Sequence, residues 1–346
     1  MKIVQFKIGS FGGAERFFFK LIKALDEVGI EQHIIHNEHP RMREEAIKTG
    51  LPRTEIPFPK KALAIRSRLK LRQVVAREKP DIFFCWASNA GRRAFKRRGM
   101  TTVARLGGYA NPRRFRGCQH LICNTPDLVR HCLEGGWKEN RVHMISNFGE
   151  LDPVPAIDRA SIGVDDDHIL LLSLGRLEDI KGFQDVISAL PSLPENIVYA
   201  IAGEGPMEQN LRELASQLGV THRVKFLGWR SDQAALLAAS DICMVPSHHE
   251  PLGNVVLEAW CLKVPVIAAR AEGPSWLIED GVTGLLHEIG NIDQICICIS
   301  QLTEGNELER DLIVSAFHDW HSKFSKKEIC DKYIEKFQNI QPDCNA

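Results

Sequence analysis

No run of apolar residues in this chain of 346 approaches the roughly 18 to 20 that a spanning helix requires, so no membrane-crossing segment is expected. The opening KIVQFKIGSFGGAER acquires charge too early for a secretory signal and reads as a first strand, and the expected location is the cytoplasm. None of the ten cysteines forms a CxxC. The close pair Cys296 and Cys298 falls in DQICICISQL, an amphipathic or buried helical stretch, which speaks for reduced core thiols and against a metal or redox role. Aromatic residues make up only 7% and are not interleaved with the basic segments in any RNA-recognition or helix-turn-helix pattern, so nucleic acid is not an expected partner. The first strand is not followed by a GxGxxG. GSFGGAER (9 to 16) carries Phe11 at a place the dinucleotide fingerprint does not need, which removes the main support for hydride transfer and leaves Gly12 and Gly13 as a glycine turn facing a ligand.

Net charge is absent too, because 44 Lys and Arg balance 44 Asp and Glu. The balance hides an asymmetry: residues 1 to 120 hold 26 basic against 10 acidic residues, or +16, and the remainder holds 18 against 34, or −16. Much of the excess lies in KKALAIRSRLKLRQVVAREK (60 to 79), GRRAFKRR (91 to 98) and NPRRFR (111 to 116), with Phe95 and Phe115 as apolar residues among the charges. These segments are either solvated helix faces or a surface for an anionic membrane or an anionic acceptor.

Strand and helix patterns alternate almost from end to end, which predicts α/β architecture with two doubly wound sheets. The length suits two domains of about 150 to 180 residues each. Periodicity stops in NFGELDPVPAIDRASIGVDDD (147 to 167), where Pro, Asp and Gly accumulate. The expected division is an N-terminal domain over 1–150, a C-terminal domain over 151–325, and a helix and tail over 326–346 with a path back to the first domain. Thr125 and Pro126 are placed to cap and open a helix after the strand HLICN.

What is most distinctive lies in SHHEPLGNVVLEAWCL (247 to 262), where Glu250 and Glu258 flank a turn that becomes a helix. Pro251 to Asn254 make a sharp entry, so free N–H groups and the positive dipole end are expected near Gly253 and Asn254, a place for phosphate. Glu258 falls roughly 6 Å further along the same face, about the step from a diphosphate to its ribose. A pair of glutamates at this spacing also arises by chance; its position between the strands DICMVPS and VPVIAA gives it weight. In HILLLSLGRLEDIKGF (168 to 183), Arg176 lies just past a buried strand and Lys181 at the next helix, so both cations are expected to reach one site. IAGEGPM places Gly203 and Gly205 at another strand end, where they admit a ligand or simply make a turn, and Trp229 in FLGW could flank a nucleobase or sit at a core edge.

Together these segments resemble glycosyltransferase family 4, the retaining enzymes of GT-B fold, in which two doubly wound Rossmann-like domains face a central cleft. The resemblance rests on GGAER, LICNTPDLVRHCLEGG with VHMISN, SLGRLEDIKG, IAGEGP, VKFLGW, EPLGNVVLE and EGPSWLIEDGVTGLL, in that order along most of the chain. It implies that Arg176 and Lys181 hold a donor diphosphate, that Glu250 lies beside the donor sugar and Glu258 on the ribose, and that Gly253, Asn254 and Val255 line the donor site. It implies a nucleotide-sugar donor as substrate, a glycan or lipid-linked acceptor, no cofactor and no metal. The basic first domain resembles that of transferases acting on lipopolysaccharide or surface polysaccharide at the inner face of a membrane. Two places depart from the family: Arg105, Gly107, Gly108 and Tyr109 stand where many relatives carry a His, and Asn147-Phe148 stands for the usual Asn-Gly. The alternatives are a nucleotide-sugar epimerase of the same fold, or a non-catalytic nucleotide-sugar-binding subunit.

Overall fold

The computed structural model describes residues 1–9, 13–58, 64–304 and 307–340. The chain divides into two compact units, one made of Met1–Asn147 together with the chain from Lys326 onward, the other of Phe148–Ser325.

In the first unit, strands and helices follow as β1 (Lys2–Lys7), α1 (Gly13–Glu27), β2 (Glu31–His36), α2 (Pro40–Lys48), β3 (Arg53–Glu55), α3 (Ala64–Glu78), β4 (Ile82–Trp86), α4 (Ala87–Gly91), β5 (Thr101–Leu106), β6 (His120–Cys123), α5 (Pro126–Glu134) and β7 (Val142–Met144). The strands form one parallel sheet in the order β3-β2-β1-β4-β5-β6-β7. Helices cover both faces of such a sheet, so its central strands read as unbroken apolar runs; IFFCW of β4 is buried at every residue. Thr125 accepts a hydrogen bond from the Leu128 amide and Pro126 opens α5, as its sequence dictates. By contrast α2 carries only Met42 and Ala46 on its buried side, too weak an apolar stripe to announce a helix, and its start is set by Pro40.

The second unit continues as β8 (Ile169–Leu174), α6 (Phe183–Ala189), β9 (Ile197–Ala202), α7 (Glu208–Gln217), β10 (Val224–Gly228), α8 (Gln233–Ala239), β11 (Ile242–Val245), α9 (Asn254–Cys261), β12 (Val266–Ala269), α10 (Glu272–Leu277), β13 (Leu285–His287), α11 (Ile292–Thr303) and α12 (Glu307–Asp319). Its sheet is also parallel, in the order β10-β9-β8-β11-β12-β13. Alternate residues of β8 feed opposite cores. Leu170 and Leu172 pack with Trp260 and Trp320 on one face, Leu171 with Tyr199 and Met244 on the other.

The last helix among the described residues is α13 (Lys326–Asn339), which belongs to the first unit. There Phe337 meets Phe84 edge-on at 5.2 Å and Lys326 pairs with Glu27 of α1 at 3.1 Å. No helix among the described residues is long and apolar enough to cross a membrane. Of the aromatics among the basic segments, Phe115 is wholly buried beneath Gly91 and Phe95 packs against Phe83 at 5.3 Å, because both fill the core under α4. The exposed apolar residues of this region are instead Ile65 and Leu69 on α3.

The strand order reverses between β1 and β4 in the first sheet and between β8 and β11 in the second. At such a point successive connections leave toward opposite faces and open a crevice at the carboxyl ends of the strands.

Candidate active site

In the second unit the loops after β8 and β11 both leave the carboxyl end of the sheet at its switch point, and they bring charged side chains together. The first loop runs from Gly175 to Gly182. Gly182 has φ 67°, and a side chain there would put its Cβ 1.9 Å from the Pro246 carbonyl oxygen, so only glycine lets this loop lie against the other. The approach is locked by the His248 amide, which donates to the Ile180 carbonyl at 2.9 Å. Lys181 and Glu250 thereby meet, Nζ to Oε2 at 2.6 Å, with their side chains 23% and 18% exposed.

Glu250 is held from several sides. Its other oxygen, Oε1, accepts the Gly253 amide at 3.2 Å, its carbonyl accepts the Gly273 amide at 2.8 Å, and its own amide donates to Glu272 Oε2 at 3.3 Å. Glu272 in turn accepts from His249 at 2.8 Å. Burial works against the Glu272 charge, but hydrogen bonds from its own amide, His249 and the Glu250 amide hold its carboxyl below the usual range. Gly273 is required as well, because a Cβ would lie 2.3 Å from the Leu252 carbonyl oxygen. Behind Lys181, His248 Nε2 bonds Asp185 Oδ2 of α6 at 2.6 Å.

The sequence predicts free amides at the start of α9. The Gly253 amide is instead taken by Glu250, because Gly253, at φ 89°, turns its N–H back onto that carboxylate. Arg176 and Lys181 share a loop but serve different carboxylates: Arg176 is 77% exposed and pairs with Glu178 at 3.0 Å. Asn254, Val255 and Glu258 lie on one half-buried face of α9, one turn apart. Burial, with the Glu258 charge added, pushes the Cys243 thiol of β11 up.

The glycines after β9 make room for a neighbouring backbone. A Cβ on Gly203 would meet the Gly175 carbonyl oxygen at 1.7 Å and one on Gly205 the Leu177 carbonyl oxygen at 2.4 Å. They let the Arg176 loop pass, and the Leu177 amide bonds the Glu204 carbonyl at 3.0 Å. Trp229 follows the edge strand β10 and is 53% exposed, so it is not a core residue. With strands about 4.8 Å apart, it stands roughly 10 Å along the sheet from β8. Gly13 opens α1 of the first unit, and Gly12 lies outside the described residues.

Asp185, His248, His249 and Glu272 were missed by sequence reasoning, although the pair of histidines directly before Glu250 was a visible signal. An Asp-x-Asp run was also passed over. Asp165 and Asp167, with His168, bring one ligand atom each within 4.8 Å of one another, enough to approach a metal ion. They are at the amino end of β8, the opposite end of the sheet from Glu250.

Two family models match the chain, Glycosyltransferase Family 4 over residues 11–152 and Glycosyl transferases group 1 over residues 156–319. The lipopolysaccharide core biosynthesis glycosyltransferase LpsE of Rhizobium meliloti (strain 1021) is 37% identical over 97% of this chain and 98% of its own length. LpsD of the same organism is 33% identical over the same shares. Among solved structures, Anabaena Alr3699/HepE in complex with UDP and glucose superposes with a TM-score of 0.83 at 21% identity, covering 98% of this chain and all of that one, a likeness of fold.

Proposed function

Because the chain belongs to the glycosyltransferases, with a family 4 domain followed by a group 1 domain in a GT-B fold, we propose that it moves a sugar with retention from a nucleotide-diphosphate sugar to a lipopolysaccharide-core acceptor. The observation that carries this reading is the Lys181–Glu250 pair at the switch point of the second sheet. The acceptor class is supported by the lipopolysaccharide-core roles in the names of LpsE and LpsD, and the donor class by the UDP and glucose held by HepE.

An ammonium has three protons, and Lys181 gives one to Glu250, which leaves the others for a diphosphate. Arg176, exposed at the loop tip, exchanges Glu178 for the same phosphates. Glu250 faces the sugar, where its charge opposes the positive charge that grows at the reacting carbon, and the amide of Gly253, just before α9, keeps it oriented. Glu258 takes the ribose hydroxyls and Trp229 flanks the base. The acceptor hydroxyl attacks from the face the diphosphate leaves: its oxygen bonds the anomeric carbon as the carbon–phosphate oxygen bond breaks, and the departing oxygen takes its proton. No protein nucleophile is needed.

Thermal-shift screening against UDP-, GDP- and ADP-sugars identifies the donor, and NMR of the product gives the anomeric configuration. A product inverted relative to the donor, or a changed sugar released without an acceptor, would overturn the proposal.

A further inference from the structure

Arg105, the penultimate residue of β5, is 3% exposed. Its Nε donates to the Tyr333 hydroxyl at 3.0 Å, another nitrogen donates to Asn147 Oδ1, and its plane lies over the rings of Phe17 at 4.6 Å and Trp86 at 5.1 Å. Every one of these partners is neutral. Among the described residues no carboxylate pairs with this guanidinium, whereas Lys7, in the same row of the sheet through Trp86, is neutralised by Glu15 at 2.8 Å. A buried cation without a counter-charge costs stability that a folded chain does not carry without use.

The remaining end of the guanidinium, Nη1, is directed at Gly107. The Cβ that Gly107 lacks would lie 3.2 Å from Nη1 and 3.7 Å from Asn124 Nδ2, and Gly107 itself is exposed. Asn124 and Ser146 are each 3% exposed; Asn124 turns its donor Nδ2 toward the same space, and the Ser146 hydroxyl is buried without any hydrogen-bond partner. Leu106 stands beside Cys123 and Cys123 beside Met144, so Gly107, Asn124 and Ser146 follow three neighbouring strands at the carboxyl end of the sheet. That is the end where open parallel sheets take ligands. We propose that Arg105, Asn124 and Ser146 form an oxyanion subsite in the first unit that takes a phosphate or carboxylate group borne by the acceptor. Assignment to the acceptor rests on the transferase reading above; the anion site does not.

The test compares thermal unfolding in sodium phosphate, sodium acetate and sodium chloride at matched ionic strength. Lys181→Ala is carried throughout, so that the second unit's phosphate site stays silent. The protein with Arg105 should gain about 3 to 6 °C at an anion concentration tenfold above its Kd. Arg105→Met, which keeps the packing on Phe17 and Trp86, should lose that gain. Gly107→Ala leaves the guanidinium in place and fills the space before it, so it should lose most of the gain even if Arg105→Met fails to fold. The larger response, to phosphate or to acetate, names the oxyanion. Equal gains in all three proteins, or none in any, overturn the site. In transfer assays with Lys181 restored, Arg105→Met should raise KM for lipopolysaccharide core oligosaccharide at least tenfold. After phosphatase treatment of the oligosaccharide, or amidation of its carboxylates if acetate was the better probe, the difference from wild type should vanish. An unchanged KM beside an intact anion response overturns the assignment to the acceptor alone. Absence of transfer from every nucleotide sugar overturns the transferase reading and leaves the anion response standing.

Discussion

Glu250 spends both carboxylate oxygens within the protein, one on Lys181 and one on the Gly253 amide, so its orientation is set before any ligand is considered. Removing Lys181 therefore takes away the cation proposed to hold a diphosphate and also frees the carboxylate from its ion pair. Lys181→Ala should cost about 3 to 4 kcal/mol in kcat/KM, whereas Arg176→Ala, whose side chain is exposed, should cost about 2, with unchanged circular dichroism in both. Near-normal kcat/KM in the Lys181 variant contradicts the assignment. The two glutamates should separate in a second pair of measurements. Glu258→Gln is expected to weaken nucleotide diphosphate binding by calorimetry about tenfold, and Glu250→Gln to reduce turnover with little effect on nucleotide affinity.

The loops that carry these side chains depend on glycines that admit a neighbouring backbone. Gly203→Ala would drive a methyl into the Gly175 carbonyl at 1.7 Å, and a loss of about 2 to 4 kcal/mol in urea unfolding is expected, together with weaker donor binding. A variant as stable as the parent would show that the two loops need not pack so closely. A different element sets an acid limit. On β7, burial, then the charges of Lys336 and Arg141, pushes the His143 imidazole down to about 4. The unfolded chain therefore takes up this proton first as pH falls, and stability drains between the ordinary value of 6.5 and about 4. His143→Gln should flatten the dependence of the urea midpoint over that window, and an unaltered slope would refute the role. The elements themselves were largely legible, because central strands such as β4 and β9 are closed apolar runs and α5 carries its own cap. The site was legible only where its chemistry was local. Asp185 and His248 are 63 residues apart, and the purpose of Gly203 is decided by what another loop brings to it. Sequence spacing records neither.

For the molecule as a whole, the +16 excess of residues 1 to 120 remains the feature that points outward. On α3, Arg66, Arg68, Lys70 and Arg72 are exposed beside Ile65 and Leu69, a basic face with apolar residues on it; Lys60 and Lys61 lie outside the described residues. If this face meets an anionic bilayer, co-sedimentation with anionic vesicles should be strong at low salt and fall toward physiological salt, and reversing these four charges should abolish it. Equal binding to neutral vesicles would assign the contact to Ile65 and Leu69 instead. The path of the chain has a consequence in time. The first unit is interrupted by the second and closed only by α13, whose Tyr333 bonds Arg105 and whose Phe337 covers Phe84. During synthesis the second unit has all its residues before the first does, so the half made earliest waits longest for its last piece. Until that helix emerges, Phe84 and a charged Arg105 stand uncovered on the nascent chain, and it is this half that a chaperone would have to guard.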